Sequence, residues 1–196
     1  MSVEALAVFE ALEQVTAALQ ANLETWIDTR AAEVTGLPMP APGASDYYLA
    51  MSRADVDRIM QNSSVAVFIS QAKPSAMGSE TTKGISPTEF GGVQITYFEV
   101  SIVYRLQQTE PIVAFGKTLT THDVMALRGL LYAGAQMDVV RRFAPNGGSV
   151  ITSVESKDSD FAGAVRFDPN GEPIIGVSTI VWGFRQDITI PFCTNS

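Results

Sequence analysis

The sequence predicts an α+β protein in which a mostly antiparallel sheet packs against a long N-terminal helix and a second helix near residues 120–143. Three observations predict this class. Apolar residues recur at three- and four-residue steps through residues 2–34, and apolar–polar alternation marks residues 92–106 and 174–190. Along the chain the order is helix, strand, long loop, long strand, helix and further strands, without internal repeats.

Length and charge limit the classes to which the chain can belong. Its 196 residues suit a single domain, residues 1–196, with a core of its own. Only 17% of the residues are charged, which is typical of a protein that hides apolar surface in an oligomer, although a tightly packed monomer also fits. The formal charge of −8 repels phosphate, so the chain is not expected to bind nucleic acid, but it suits a wall past which DNA slides.

The two ends of the chain bear on its compartment. The first residues, MSVEALAVFEALEQ, carry Glu4 and Glu10 where a signal peptide has basic residues, and no apolar run is long enough to span a membrane. Cys193 is the single cysteine, so no intrachain disulfide can form, which fits a reducing compartment. We therefore expect synthesis in a cytoplasm and no membrane partner.

Both predicted helices carry end signals. The first, residues 2–34, is followed by Gly36 and Pro38, and at about 1.5 Å per residue it would be roughly 45–50 Å long. Because that exceeds the width of a small core, we expect this helix to bend or to project past its domain. The second begins at a capping box, residues 120–123, and ends at 142–143; its internal glycines and alanines predict close packing.

Connecting segments and strands fill the rest of the chain. Three prolines and a glycine predict an extended connector at residues 37–45, and residues 52–60 predict a short helix. Residues 71–92 have no period and are rich in Gly, Ser, Thr and Pro, so they predict a long flexible loop that is functional or orders on binding. Further strands are expected at 65–70, 111–115, 150–155, 163–167 and 174–190, with a turn at 168–171 joining the last two.

The strand predicted at residues 92–106 changes its apolar face halfway along. Val93, Ile95 and Tyr97 share one face, but from Phe98 onward the apolar residues are the even-numbered ones. A strand has a period of two, so an unbroken strand should keep its apolar residues on one side. Two explanations remain open: a β-bulge near Tyr97 re-aims the side chains, or each half covers a different partner.

No catalytic constellation stands out. His122 is the only histidine, and its place beside Asp123 at a helix start favours a surface or capping role. A zinc site would have to combine His122, Cys193 and carboxylates without any recognised spacing. Residues 115–118, FGKT, follow Pro111 where a phosphate-binding loop needs its first glycine, so they are interpreted as a strand-to-helix connection.

The remaining candidates for chemistry also favour structural roles. Asp55 and Asp57 lie on different faces of a predicted helix, and Asp158 and Asp160 lie in a predicted loop. Asp168 and Asn170 suggest a calcium loop, but its closing ligands are missing. A base-stacking platform of Trp26, Trp182, Tyr47 and Tyr48 has no interleaved basic residues. The sequence therefore predicts no enzyme, no cofactor and no metal site.

Three features share one explanation if the protein assembles into a ring: the change of face, a helix long for its core, and the polar loop. One half of strand 92–106 would pack under helix 120–143, and the other against a neighbouring subunit or inside a continuous barrel. Loop 71–92 would order on contact with the next ring. A bulge in a monomer explains only the first feature. The predicted subunit or partner contacts are Phe98, Val100, Ile102, Tyr104, Met77, Lys83, Ile85 and Phe90.

The order of elements resembles the tail terminator and tail-completion proteins of tailed bacteriophages. The resemblance rests on helix 2–34, a strand, loop 71–92, strand 92–106, helix 120–143 and a terminal β-hairpin at 174–190. The resemblance implies a homo-oligomeric ring, commonly a hexamer, that ends the tail tube and contacts the head-side connector. It also implies a place in the virion after assembly in the host cytoplasm, and an acidic lumen that lets DNA pass. The Pro-rich segment 37–45 and the extra short helix depart from smaller members of the family.

Other classes of protein remain open alternatives. One is another phage structural component, such as a neck adaptor, a tail-tube protein or a baseplate protein. A second is a non-viral α+β domain that binds a small molecule in an apolar pocket between helix 120–143 and the sheet, which would be a stable monomer. An enzyme is the third, and it would have to work with carboxylates, Ser, Tyr or Lys, because His122 is the sole imidazole.

Overall fold

The structure is a computed structural model that describes residues 3–34, 37–49, 58–78, 89–106, 112–143, 150–156, 166–167 and 173–191. The two long helices are α1 (Val3–Ala31) and α2 (Thr121–Arg142). The strands are β1 (Tyr47–Leu49), β2 (Val65–Gly78), β3 (Glu89–Arg105), β4 (Val113–Ala114), β5 (Lys117–Thr118), β6 (Val150–Ser156), β7 (Arg166–Phe167) and β8 (Pro173–Pro191).

Six of these strands form one mixed sheet in the order β1-β2-β3-β8-β6, with β7 also paired to β8. Every pairing in it is antiparallel except the short parallel pairing of β1 with β2. Strands β4 and β5 make a separate two-stranded hairpin. The mostly antiparallel α+β fold predicted from the sequence is confirmed.

Both helices lie on one face of this sheet. The even-numbered residues of β3 from Phe98 to Tyr104 share a core with α1 and α2, and Ile180 and Trp182 of β8 belong to the same core. All of these side chains are at most 1% exposed. A smaller cluster on the opposite face joins Phe68 and other strand residues to the helical turn at residues 58–60. This half of the sheet is therefore apolar on both faces: the two helices pack on one face, and the turn at residues 58–60 packs on the other.

Helix α1 begins and ends close to the predicted bounds. Its buried positions recur from Ala11 to Ile27, as the sequence pattern predicts, while Phe9 is 55% exposed. Near its end, Arg30 Nε donates to Asp138 Oδ2 of α2 at 2.8 Å, and this hydrogen bond raises the pKa of Arg30. One turn earlier in α1, the ring of Trp26 contacts the guanidinium of Arg142, which lies one turn later in α2 than Asp138. The two contacts together show that α1 and α2 run antiparallel.

Helix α2 begins with the predicted capping box. Asp123 N donates to Thr120 Oγ1 at 3.2 Å, and Thr120 N donates to Asp123 Oδ2 at 3.0 Å. The small residues inside the helix allow close approach, as predicted. At Gly134 an added Cβ would lie 3.3 Å from Arg30 Nε, and the carbonyl of Gly129 accepts a hydrogen bond from Ser178 Oγ of the sheet at 3.0 Å.

The predicted loop 71–92 is largely strand in the structure. Residues 71–78 continue β2 and residues 89–92 begin β3, while residues 79–88 lie outside the described part of the chain. The sequence has no period here because the β2–β3 register shifts twice, between Gln71 and Lys73 and again between Lys73 and Ala76. Each β-bulge adds unpaired residues and shifts the alternation, which also explains how Pro74 fits within a strand.

Two other strand predictions need correction. Residues 174–190, assigned to a terminal hairpin in the resemblance, form the single strand β8, and the hairpin partner is β7, through the pair Arg166 and Ile175. The strand predicted at 111–115 is present as the shorter β4, and its hairpin partner β5 was not predicted. The prolines of connector 37–45 lie in backbone without regular secondary structure.

Candidate assembly site

The irregular pairings of the sheet lie in one row. Lys73 of β2, Tyr97 of β3, Gly183 of β8 and Ser153 of β6 are successive partners across four strands. Both register shifts of β2 flank Lys73, and the shift of β6 falls between Ile151 and Ser153. Because bulges increase twist and bend a strand, this row divides the sheet into two parts.

The change of apolar face is real and is not produced by a bulge in β3. Strand β3 pairs with β8 without a register shift from Glu89 to Arg105. Its alternation is therefore continuous, and the apolar positions Val93 and Ile95 lie on the sheet face opposite to that of Phe98. The bulges lie in the neighbouring strands, so the first half of β3 and its second half use opposite faces of one sheet.

We use the name arm for residues 71–78 of β2, 89–97 of β3 and 183–191 of β8. The arm begins where α2 ends, since Phe143, directly after α2, contacts Trp182 with ring centroids 6.3 Å apart. Nine residues of β3, Glu89 to Tyr97, lie beyond this level, which is about 27 Å of strand. Helix α2 ends before most of the arm, although Thr96 and Gly183 at the start of the arm are still buried.

Both faces of the arm carry apolar positions in the register. Strand β3 contributes Val93 and Ile95 to one face, and β8 contributes Ile188 and Ile190 to the face shared with Trp182. An antiparallel sheet in water usually has one apolar face and one polar face. The half of the sheet under the helices, which we call the covered half, departs from this rule only through the smaller cluster around Phe68. A strand pair that is apolar on both faces fits a position between two covering surfaces.

One edge of the arm has no partner strand among the described residues. Strand β1 pairs with β2 only through Val67, Phe68 and Ile69. Beyond Ile69, the outer edge of β2 runs from Ser70 to Gly78 without a neighbour in the described part of the chain. Open strand edges are sites at which another chain can add a strand, unless charges, prolines or bulges block them. Here the two bulges and Pro74 limit the open edge to short stretches.

The eight residues predicted as contacts fall into three groups. The first group lies in the chain's own core and is at most 1% exposed: Phe98, Val100, Ile102 and Tyr104. A subunit contact through these side chains would require the helices to leave the sheet. Met77 and Phe90 lie in the arm, and Lys83 and Ile85 lie outside the described residues. The structure thus moves the candidate surface from the second half of β3 to the first.

A second exposed feature lies at the other end of α2. Phe115 and Gly116 connect β4 to β5 in a two-residue turn with φ angles of +53° and +74°. Such a turn favours Asn or Gly at its first position, because a bulky residue at positive φ is strained. The Phe115 side chain is nevertheless 75% exposed, and Val113 beside it is 66% exposed. Sequence reasoning missed this turn because it contains one glycine and no asparagine.

The residues considered for catalysis occupy structural positions. His122 lies exposed in the first turn of α2, and Lys117 Nζ is 3.4 Å from the Asp123 carboxylate. The backbone and side chain of Thr120 bind this carboxylate and lower the pKa of Asp123. Lys117 and Thr118 lie in β5, so FGKT forms a hairpin and not a phosphate loop. No group of three or more metal-ligating residues occurs among the described residues.

The aromatic residues considered as a stacking platform are dispersed. Trp182 is fully buried, Trp26 lies beneath Arg142, and Tyr48 stacks on Phe68 with ring centroids 5.5 Å apart. Tyr47 lies on the other side of the sheet edge, where its hydroxyl donates to the carbonyl of Leu19. The acidic pairs at 55/57 and 158/160, the 168/170 turn and Cys193 lie outside the described residues.

A buried polar cluster under α2 was missed at the sequence level. Arg128 is 1% exposed, and its Nε and Nη1 have no hydrogen-bond partner among the described residues. Tyr104 and Tyr132 interact with it electrostatically, and burial raises the pKa of both phenols. The signal was a basic residue on the apolar face of α2, three residues after Met125 and four before Tyr132.

Comparison with known proteins does not assign a family. No protein-family model and no curated protein sequence matches the chain. Within the described residues, no helix has the length and apolar character needed to cross a membrane.

Proposed function

We propose that the protein is a structural component of a phage virion that assembles into a ring at the neck or tail end. In this proposal the ring ends the tail tube and joins it to the head-side connector. The observation that carries the proposal is the arm, a sheet extension that outruns α2 and has apolar positions on both faces. Such a surface suits burial between neighbouring subunits.

The covered half supports the same reading by serving as an anchor. Its core forms without a partner, because the even-numbered side chains from Phe98 to Tyr104 are already buried with α1 and α2. A rigid folded half with an extended arm can pass the arm to the next subunit in a head-to-tail contact, which closes into a ring when the rotation allows. A hexamer is the number that the family resemblance implies.

The charge of the chain suits the proposed position. With a formal charge of −8, a ring of identical subunits would present repeated negative charge, which repels DNA phosphates from a lumen wall. DNA would then pass without being held. The proposal includes no sequence-specific nucleic-acid contact, no cofactor and no membrane partner. Localisation in the virion after assembly in the host cytoplasm belongs to the same proposal.

The Phe115 turn adds a second contact point, at the opposite end of α2 from the arm. Strained backbone at an exposed bulky residue is a feature of binding surfaces, since Asn or Gly would fill the turn at lower cost. In the proposed ring, the arm would contact the neighbouring subunit and the Phe115 turn would contact a protein stacked above or below. Replacement of Phe115 by Asn should then weaken stacking but leave ring formation intact.

The decisive experiment compares two substitutions in the same strand. Ile102→Lys places a charge in the covered core, where Ile102 is fully buried, and is expected to unfold the protein. Ile95→Lys places the same charge in the arm, seven residues away and on the opposite sheet face. We expect it to leave a folded monomer that no longer assembles. Circular dichroism reports folding, and native mass spectrometry at several concentrations reports assembly.

The wild-type protein provides the reference in both measurements. A ring, or a monomer that becomes one when tail-tube or connector proteins are added, supports the proposal. If wild-type protein stays monomeric with every such partner, a monomeric small-molecule-binding domain becomes the better reading, and ligand-dependent melting would be the next test. If Ile95→Lys assembles as the wild type does, the arm is not the contact even if the protein forms a ring.

A further inference from the structure

The least expected group in the interior is the guanidinium of Arg128. This residue lies on the face of α2 that packs on the sheet, and it is 1% exposed. Arginine is almost never fully buried without a partner, because removing an isolated charge from water is strongly unfavourable. A fold that keeps the charge at this position needs something that compensates for it.

The described residues do not provide that compensation. Arg128 Nε and Nη1 are buried without an acceptor, and the ion pairs of α2 involve Asp123 and Asp138, neither of which is paired with Arg128. Burial lowers the pKa of the guanidinium, yet an arginine stays charged in proteins. A water molecule would satisfy the two N–H groups but would not neutralise the charge.

The groups around Arg128 are neutral and already committed. The Tyr104 hydroxyl donates to the carbonyl of Met125 at 2.9 Å, and the Tyr132 hydroxyl donates to that of Pro40 at 2.7 Å. The two tyrosine rings are 4.9 Å apart. About two turns after Arg128 in α2, Gln136 donates to the carbonyl of Ser178, while its own Oε1 has no partner among the described residues. Within the described residues, Arg128 therefore has no anionic partner, and two of its nitrogen atoms have no acceptor.

We propose that Arg128 is the centre of an internal anion-binding site that takes a small oxyanion, either a carboxylate or inorganic phosphate. Guanidinium N–H groups match the oxygen geometry of carboxylates and phosphates, and in a low-dielectric surrounding such bonds are stronger than neutral ones. This site is independent of the proposed assembly function.

Access to the site is linked to motion of α2. Because Arg128 is 1% exposed, an anion reaches it only when α2 opens from the sheet or before α2 packs there during folding. Bound anion should therefore stabilise the folded state and exchange slowly. A ligand that binds only the folded state raises the melting temperature by mass action.

The test is a thermal melt of the full-length protein in sodium acetate, sodium phosphate and sodium chloride at matched ionic strength. The control variant is Arg128→Met, which keeps an unbranched stem and removes the charged end of the side chain. At an anion concentration about 100 times the dissociation constant, we expect the wild-type melting temperature to rise by about 5–10 °C. The variant should not respond to acetate or phosphate beyond its response to chloride.

The salt that gives the larger rise in melting temperature, acetate or phosphate, identifies the preferred oxyanion. Chloride is the control for an anion that has no oxygen atoms. Without added anion, Arg128→Met should melt at or above the wild-type temperature, because it removes an unpaired charge. An unchanged wild-type melting temperature in all three salts would overturn the proposal, as would an equal rise in both proteins. If Arg128→Met does not fold, the Arg128 ¹⁵Nε–¹Hε resonance of the wild type decides. It should shift in acetate or phosphate, and a resonance that stays unchanged overturns the proposal.

Discussion

The two halves of the sheet use the same strands differently. In the covered half, β3 and β8 lie under two helices, and Phe98 and Trp182 face each other across the pair, both at most 1% exposed. In the arm, the same two strands continue in unbroken register past the end of α2. The difference teaches that a continuous backbone ladder does not determine which face of a sheet becomes the core.

The boundary between the halves is made by strands that flank the central pair. Bulges in β2 and β6 lie in the row of Tyr97 and Gly183, while β3 and β8 pass through the row without a shift. The outer strands β2 and β6 therefore bend at this level, while β3 and β8 continue from one half of the sheet to the other. In the proposed assembly, this arrangement joins a folded anchor to an extension that contacts another chain.

The largest expected effect is the difference between the two halves in the stability that is lost when an aromatic ring is removed. Phe98→Ala should lower the free energy of unfolding by about 3–5 kcal/mol, because it leaves a cavity in a closed core. Phe90→Ala, the same change in the arm, should cost the monomer less than about 1 kcal/mol. Urea denaturation of both variants measures the contrast. Equal losses would show that the arm has a core of its own.

A second substitution tests how tightly the covered half is packed. Gly176 lies opposite Tyr104, and an added Cβ would be 2.5 Å from Cζ of the tyrosine ring. Gly176→Ala should therefore displace the ring, weaken the hydrogen bond to Met125 and cost about 1–3 kcal/mol. Gly92→Ala in the arm is the matched control. A neutral Gly176→Ala in thermal melting would mean that Tyr104 moves without loss.

A third substitution should stabilise the protein. Phe115→Asn keeps the turn between β4 and β5 but replaces a bulky residue at positive φ by one that tolerates it. We expect a gain of about 1 kcal/mol in the free energy of unfolding, measured by urea denaturation. A loss of stability would indicate that the exposed ring packs on the described surface or elsewhere in the chain, which would remove the argument for a contact point.

The smallest expected effect concerns the helix start that faces away from the arm. Hydrogen bonds from Thr120 lower the pKa of Asp123 below its usual 3.8, so the folded state favours the carboxylate. Such a group stabilises the fold above pH 3.8, and this contribution is lost as the pH falls through the lowered pKa. Asp123→Asn should thus melt below the wild type at pH 6, and the gap should narrow as the pH falls below 3.8. A gap that stays constant below pH 3.8 would contradict this cause.

Much of the fold could be predicted because it depends on local signals. The capping box at Thr120 determined where α2 begins, and the period of α1 predicted its buried face from Ala11 to Ile27. The extension of β2 could not be predicted in this way. Its pairing partners come from β3, and its bulges remove the alternation by which a strand is recognised.

The candidate site shows the same division. The sequence predicted the change of face near Tyr97, since alternation is visible in residue order alone. It placed half of the predicted contacts from Phe98 to Tyr104, but that part of the strand is covered by the chain's own helices. The burial of Arg128 was also hidden, because a lone basic residue in a helix usually reaches solvent along its stem.

The sequence by itself determined the α+β class, the two helices, the long alternating strands and the break in alternation at Tyr97. These depend on periods and caps that act within a few residues. Only the tertiary structure decided which sheet face the helices cover, where the bulges align and that Arg128 is enclosed. Those outcomes depend on contacts between residues far apart in the chain, for which no local pattern exists.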